Sequence, residues 1–163
     1  MENDERFEVQ RIIPAEAAEI FAVVSSPQGH VDIDASGMLM SATGEPVTAV
    51  GDAFVVHMDR EALNDYPLGL YDVTVRFVTF EQDREIAWKI ESTMDPPITH
   101  VYGYRLEPAD KEVLVTSYYD WSELDPSWQS ASGSFPVVPE SALKATLGIL
   151  DRTIRRRRRA GEP

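Results

Sequence analysis

Residues 139–159, PESALKATLGILDRTIRRRRR, contain the apolar stripe that decides the fold. Four large apolar side chains recur there at spacings of four, three and four: Leu143, Leu147, Leu150 and Ile154. This spacing predicts an amphipathic helix of about four turns or more, over residues 140–155. Such a helix has to bury its stripe, so the rest of the chain must provide a large apolar surface.

The middle of the chain provides that surface, because its apolar residues alternate with a period of two. Alternation places every second side chain on the same face of a strand. Two further runs, at residues 99–108 and 112–121, flank the turn sequence PADK, which favours a hairpin. Six strands of an antiparallel meander follow from these patterns. The four alternating sets are Met38 and Met40; Phe54, Val56 and Met58; Val73, Val75 and Phe77; and Ile86, Trp88 and Ile90.

The first quarter of the chain predicts one more strand and a helix. Residues 7–13 alternate, and Pro14 suits the first turn of a helix that carries one apolar stripe. Residues 27–37 read as a short helical turn and a loop, and residues 122–139 as a Ser, Pro and Gly-rich loop that could act as a lid. The fold class is therefore α+β, with about seven antiparallel strands curved around the C-terminal helix. The first helix's stripe is Ala17, Ile20, Phe21 and Val24.

Composition narrows the classes of function. A chain of 163 residues without Cys predicts one domain over residues 1–163 that uses no disulfide and no thiolate. Residues 1–150 carry 26 acids against 9 bases, and such an acidic body disfavours nucleic acid as a partner. No apolar run is long enough to span a bilayer, and the polar opening residues predict a cytoplasmic protein. No cofactor is predicted.

Three segments and the terminal helix carry a resemblance to a known superfamily. The segments are IIPAEAAEIFAVVSSP at residues 12–27, GDAFVVHM at residues 51–58 and TSYYDW at residues 116–121. They resemble the START/Bet v 1-like (SRPBCC) helix-grip superfamily, and its polyketide cyclase/dehydrase and lipid-transport group most. The resemblance implies a cavity between sheet and C-terminal helix that holds lipids, sterols, polyketides or other apolar molecules. The superfamily includes enzymes, carriers and partner-binding domains, so the fold does not choose among them.

Polar aromatic side chains on the predicted inner face are the main candidates for ligand contact. His100, Tyr102 and Tyr104 share a strand face with Leu106, and rings of this kind can orient an apolar ligand by their polar tips. A core in which neighbouring groups satisfy each hydroxyl is the alternative. The predicted ligand-binding residues are Phe54, Met58, Phe77, Trp88, His100, Tyr102, Tyr104, Tyr119, Trp121, Leu143 and Leu147.

His30, Asp32 and Asp34 are predicted at the cavity mouth, with a hydrogen-bonded turn as the alternative. The segment from Asp32 matches the opening of an EF-hand calcium loop, but Thr43 stands where the closing Glu is needed, so no calcium site is predicted. The three His residues lack the spacing of a zinc site. His57 is expected to face solvent.

These patterns support three classes of function. The first is a carrier or sensor of a small hydrophobic molecule. The second is a polyketide cyclase or dehydrase with His100 as general acid or base. The third is a protein-binding domain that uses an acidic convex face, and a homodimer is left open. The basic tail from about residue 155, Arg155 to Arg159, predicts either an anionic target or a position against the acidic body.

Overall fold

The alternating stretches form one curved, seven-stranded antiparallel sheet in the computed structural model, which describes residues 5–61, 69–91, 97–129 and 135–161. The strand order is β1-β7-β6-β5-β4-β3-β2, so the first strand lies beside the last and β1 and β2 form the edges. The predicted sheet is confirmed. The strands are β1 (Arg6–Ile13), β2 (Leu39–Thr43), β3 (Ala53–Asp59), β4 (Leu70–Glu81), β5 (Glu85–Ile90), β6 (Val101–Ala109) and β7 (Glu112–Asp120).

Two short helices, α1 (Ala17–Val24) and α2 (Pro27–Asp32), follow β1. The predicted start of the first helix at Pro14 is wrong by three residues, because a reciprocal capping box between Glu16 and Glu19 fixes its first turn at Ala17. A third short helix, α3 (Pro126–Gln129), lies in the predicted loop of residues 122–139, of which residues 130–134 are outside the described residues.

The register of the sheet places the alternating sets on its concave face. Residues directly opposite one another share a face, and Phe77 pairs with Trp88, Trp88 with Tyr102, and Tyr102 with Tyr119. Strand β2 departs from the prediction. A bulge between Leu39 and Ser41 turns Met40 outward, where it is 60% exposed, and Leu39 packs against the core instead.

Helix α4 (Glu140–Arg159) covers the concave face with the predicted stripe, whose four apolar side chains are all buried. The helix is longer than predicted, because the arginine run continues it to Arg159 instead of forming a separate tail. Arg157 lies 3.2 Å from an oxygen of Asp32, and Arg158 lies 2.7 Å from Glu19. These ion pairs support the interpretation that the run lies against the acidic body. Within the described residues, no helix is long and apolar enough to cross a membrane.

Candidate functional site

A cavity of about 200 Å³ lies between the concave face of the sheet, the segment after α2 and the first turns of α4. The exposed residues Ala35 and Ser36 border it, which places its mouth at the α2–β2 connection. Five of the predicted ligand-binding residues line this cavity, and their contact with a ligand stays a prediction. They are Met58, Trp88, Tyr102, Tyr104 and Leu143.

Trp88 is the centre of an aromatic wall. Its ring stacks on Tyr102 at a centroid distance of 5.8 Å and an interplanar angle of 11°, and it packs against Tyr104 at 5.7 Å. His30 completes the wall with its ring 4.7 Å from Trp88. Strands β5 and β6 supply the first three rings, while α2 carries the histidine across to them.

His30 is buried in this wall, so its predicted position at the mouth is wrong. Its Nε2 lies 2.7 Å from the carbonyl oxygen of Val24 and donates to it, because a carbonyl can only accept. Burial is the main cause that lowers the pKa of His30 to about 4, so the ring is neutral at pH 7. This burial could not be predicted, because the six residues of α2 are too few to show a periodic pattern.

Tyr104 presents a hydroxyl group to the cavity. The residue is only 6% exposed, and the described part of the chain offers its hydroxyl no hydrogen-bond partner. No fully buried side-chain polar atom of the described residues lacks a partner, so this hydroxyl must reach the open space of the cavity that Tyr104 lines. Burial first, and then the nearby charge of Asp34, raises the pKa of Tyr104, which keeps the hydroxyl protonated.

Asp34 holds the turn at the mouth. Its Oδ1 accepts from the Ser36 backbone N–H at 3.0 Å and from the Ser36 hydroxyl at 2.6 Å, and its Oδ2 accepts from the Leu39 N–H at 3.1 Å. This is the hydrogen-bonded turn that was the alternative prediction for this segment. Asp32 does not lie at the mouth, because its side chain turns away to bind Arg157.

His100, Tyr119 and Trp121 lie outside the wall of this cavity, and their contact with a ligand stays a prediction. With Leu124 and Phe135 they form what we call the aromatic cluster, next to the cavity on the same sheet face. His100 Nδ1 lies 2.6 Å from the Tyr119 hydroxyl, and Phe135 covers the His100 ring. Burial lowers the pKa of His100 to about 4 and raises that of Tyr119 to about 12.

Phe54, Phe77 and Leu147 are also absent from the cavity wall, although they face the concave side as predicted. All three are at most 2% exposed in the main core. The His30 ring covers both phenylalanines, at centroid distances of 5.1 and 6.0 Å, so α2 separates them from the open space. The predicted orientation of the strands was correct, but the position of the covering helix decides which side chains reach the cavity.

Two cavity residues of α4, Ala142 and Thr146, were not among the predicted ligand-binding residues. They are four residues apart and flank the predicted stripe at Leu143, so their spacing is a signal that was present in the sequence. Both are small. Their size leaves space where larger side chains of α4 fill the core further along the helix.

No protein-family model and no curated protein matches this chain. Solved structures do: a protein from Nitrosomonas europaea matches with a TM-score of 0.69 at 9% identity, covering 97% of this chain and 99% of its own. An AHSA1-like protein from Aeromonas hydrophila matches with a TM-score of 0.61 at 13% identity, and the match covers 92% of each chain. The Aha1 dimer from Colwellia psychrerythraea matches with a TM-score of 0.59 at 12% identity, and this match covers 91% of this chain and 95% of the other.

AHSA1-like proteins are members of the START/Bet v 1-like helix-grip superfamily. At these low identities the likeness concerns architecture, and the element order and long C-terminal helix agree across nearly the whole length of each chain. The comparisons therefore establish the helix-grip fold for this chain.

Proposed function

We propose that this protein is a carrier or sensor that binds a small apolar molecule in the cavity between sheet and α4. The single observation that carries the proposal is the apolar and aromatic lining of a cavity of about 200 Å³. Burying an apolar molecule there removes its surface from water, and the rigid rings around Trp88 reduce the entropy lost on binding.

The size of the cavity limits the ligand. An engineered protein cavity of roughly 150 Å³ holds a benzene molecule, so about 200 Å³ suits one substituted ring. Larger pockets of about 300 Å³ or more are usual for drug-sized ligands. A sterol or a fused polyketide is therefore a poorer fit than a monocyclic compound, which narrows the ligand classes that the superfamily resemblance implies.

A matched pair of variants on α4 tests this function. Ala142→Phe places a ring inside the cavity, while Ala145→Phe adds the same ring to an exposed position of the same helix. We expect native mass spectrometry of the protein purified from cells to find a small molecule on the wild type and on Ala145→Phe. Ala142→Phe should lose it. Equal ligand occupancy in both variants would contradict binding in this cavity.

An acid–base enzyme is the second candidate, and the contact between His100 and Tyr119 favours it. Tyr102 lines the cavity and its ring lies 4.6 Å from that of Tyr119, whose hydroxyl reaches His100 Nδ1 at 2.6 Å. Burial lowers the pKa of His100 to about 4, so the imidazole is neutral at pH 7, which is the protonation state that a general base requires. Replacement of His100 by Gln should then abolish turnover of a monocyclic carbonyl compound, and full turnover by the variant would remove this candidate.

A further inference from the structure

We propose that the ligand is a neutral, single-ring compound with a hydroxyl group, which accepts a hydrogen bond from Tyr104 and donates one to His30 Nδ1. This inference rests on the proposed function and specifies its ligand. It depends on three features of the cavity: one free donor, one free acceptor, and a wall that lacks positive charge.

Tyr104 supplies the donor. It is one of the most buried tyrosines on the concave face, at 6% exposure, yet its hydroxyl has no partner among the described residues and opens into the cavity. A ligand atom that accepts a hydrogen bond from this hydroxyl inside an apolar cavity gains affinity. The raised pKa of Tyr104 means that its hydroxyl stays protonated and can donate a hydrogen bond at any physiological pH.

His30 supplies the acceptor. Its Nε2 donates to Val24, which fixes the neutral tautomer and leaves a lone pair on Nδ1. No described residue hydrogen-bonds Nδ1, and His30 belongs to the cavity wall. The rings of His30 and Tyr104 both pack against Trp88 in the cavity wall, at centroid distances of 4.7 and 5.7 Å. A hydroxyl group can satisfy both, because it accepts and donates.

The charges around the cavity exclude an anionic ligand. No Lys or Arg lies among the described residues that line it, while Asp34 places a carboxylate near Tyr104. Burying a carboxylate without a cationic partner is strongly unfavourable, and the net charge of −13 adds repulsion. A cation is disfavoured for a different reason, since the Asp34 carboxylate already accepts three hydrogen bonds in its own turn.

Four small probes of similar size test these features on the wild-type protein. They are 4-methylphenol, p-xylene, benzoate and benzylamine, and the signal is the NMR shift of the Trp88 indole N–H, which lies in the cavity wall. Since p-xylene replaces the hydroxyl of 4-methylphenol by a methyl group, the ratio of their dissociation constants isolates the hydrogen bonds. We expect 4-methylphenol to bind about tenfold more tightly than p-xylene. Benzoate should not bind, and benzylamine should bind more weakly than 4-methylphenol.

Tyr104→Phe sharpens the test, because it removes only the donor. It should raise the dissociation constant of 4-methylphenol about fivefold and leave that of p-xylene unchanged. Unchanged binding of p-xylene also shows that the variant is folded. Tyr71→Phe is the control, since Tyr71 lies outside the cavity wall. Equal binding of p-xylene and 4-methylphenol, or tighter binding of either ion, would overturn this inference while the proposed function stands. Failure of all four probes to bind would overturn both.

Discussion

The cavity wall and the aromatic cluster lie side by side on one sheet face and are built from the same residue types, yet they differ in how their polar atoms are satisfied. In the aromatic cluster the His100 and Tyr119 side chains hydrogen-bond to each other at 2.6 Å. In the cavity wall, Tyr104 and Nδ1 of His30 have no partner among the described residues. Polar rings on a concave face therefore do not by themselves identify a binding site.

The covering segment explains the difference. Leu124 and Phe135, from the segment that follows β7, pack onto the aromatic cluster and close it. Over the cavity, α4 presents the small side chains of Ala142 and Thr146, so space remains. The two regions share Leu143, which is buried in the cluster and lines the cavity. Perturbing one region and measuring the other shows how far they are independent.

Acidification should give the largest effect, because each region holds one neutral histidine. The pKa of His30 and of His100 is lowered to about 4, against roughly 6.5 in an unfolded chain, so the unfolded state binds more protons below pH 6.5. Stability should fall as the pH drops from 7 to 5, by about 2 kcal/mol for each histidine. Urea unfolding at both pH values measures this, and His100→Gln should remove about half of the decrease. An unchanged decrease in that variant would mean that the aromatic cluster does not contribute.

Gly29→Ala should damage the cavity wall alone. A Cβ at Gly29 would lie 1.8 Å from the Val23 carbonyl oxygen, so α1 and α2 would have to separate and carry His30 with them. We expect a loss of about 3 kcal/mol in unfolding free energy and loss of 4-methylphenol binding, with the Trp121 indole signal unchanged.

Gly148→Ala is the matched control for that substitution. The nearest atom to its Cβ would be Nη1 of Arg11 at 4.0 Å, and the residue lies inside α4. The unfolding free energy of this variant should rise by about 0.5–1 kcal/mol, because Ala has a higher helix propensity than Gly. Equal destabilisation by both substitutions would contradict the steric explanation.

Tyr119→Phe should damage the aromatic cluster by a smaller amount, and it also removes the hydrogen bond between the Tyr119 and Tyr102 side chains. It leaves the buried Nδ1 of His100 without its partner, at a cost of about 1–2 kcal/mol in thermal or urea unfolding. The affinity for 4-methylphenol should not change. Weaker binding would show that the cluster and the cavity are coupled through Tyr102, which lies between them.

Arg157→Ala should have the smallest effect. Its ion pair with Asp32 at 3.2 Å ties the last turns of α4 to the helix that carries His30, but both side chains are partly exposed. Removing it should cost less than about 1 kcal/mol, and the cost should shrink further in high salt. Arg156→Ala, at an exposed position of the same helix, is the control in the same urea titrations. A loss of unfolding free energy above this value with Arg157→Ala would mean that the Arg157–Asp32 ion pair supports the cavity wall directly.

The sequence was sufficient for the sheet and the long helix, because both depend on periodic burial. The stripe at Leu143 and the alternation at Phe77 and Trp88 are repeated signals, and the register follows from them. The predicted orientation of Met40 in β2 was wrong, because a bulge shifts the alternation by one residue and the sequence pattern does not show the bulge.

The site was less predictable than the fold. Its position depends on where α2 places His30, which covers Phe54 and Phe77, and on the small size of Ala142. Neither is a periodic feature. The His100–Tyr119 contact likewise needs the β6–β7 register and the segment after β7 together, so a pattern along one strand could not show that His100 is turned away from the cavity.

The pairing of β1 with β7 also has a consequence for how the protein is made. Arg6 and Asp120 are hydrogen-bonded partners separated by 114 positions in the chain. A ribosome that adds about 5–20 residues per second needs roughly 5–20 s to make that intervening length, and throughout this time β1 has no neighbouring strand. The nascent chain must therefore keep its first strand from pairing with other chains until translation is nearly finished, which makes the interval before β7 emerges the period of greatest exposure to aggregation.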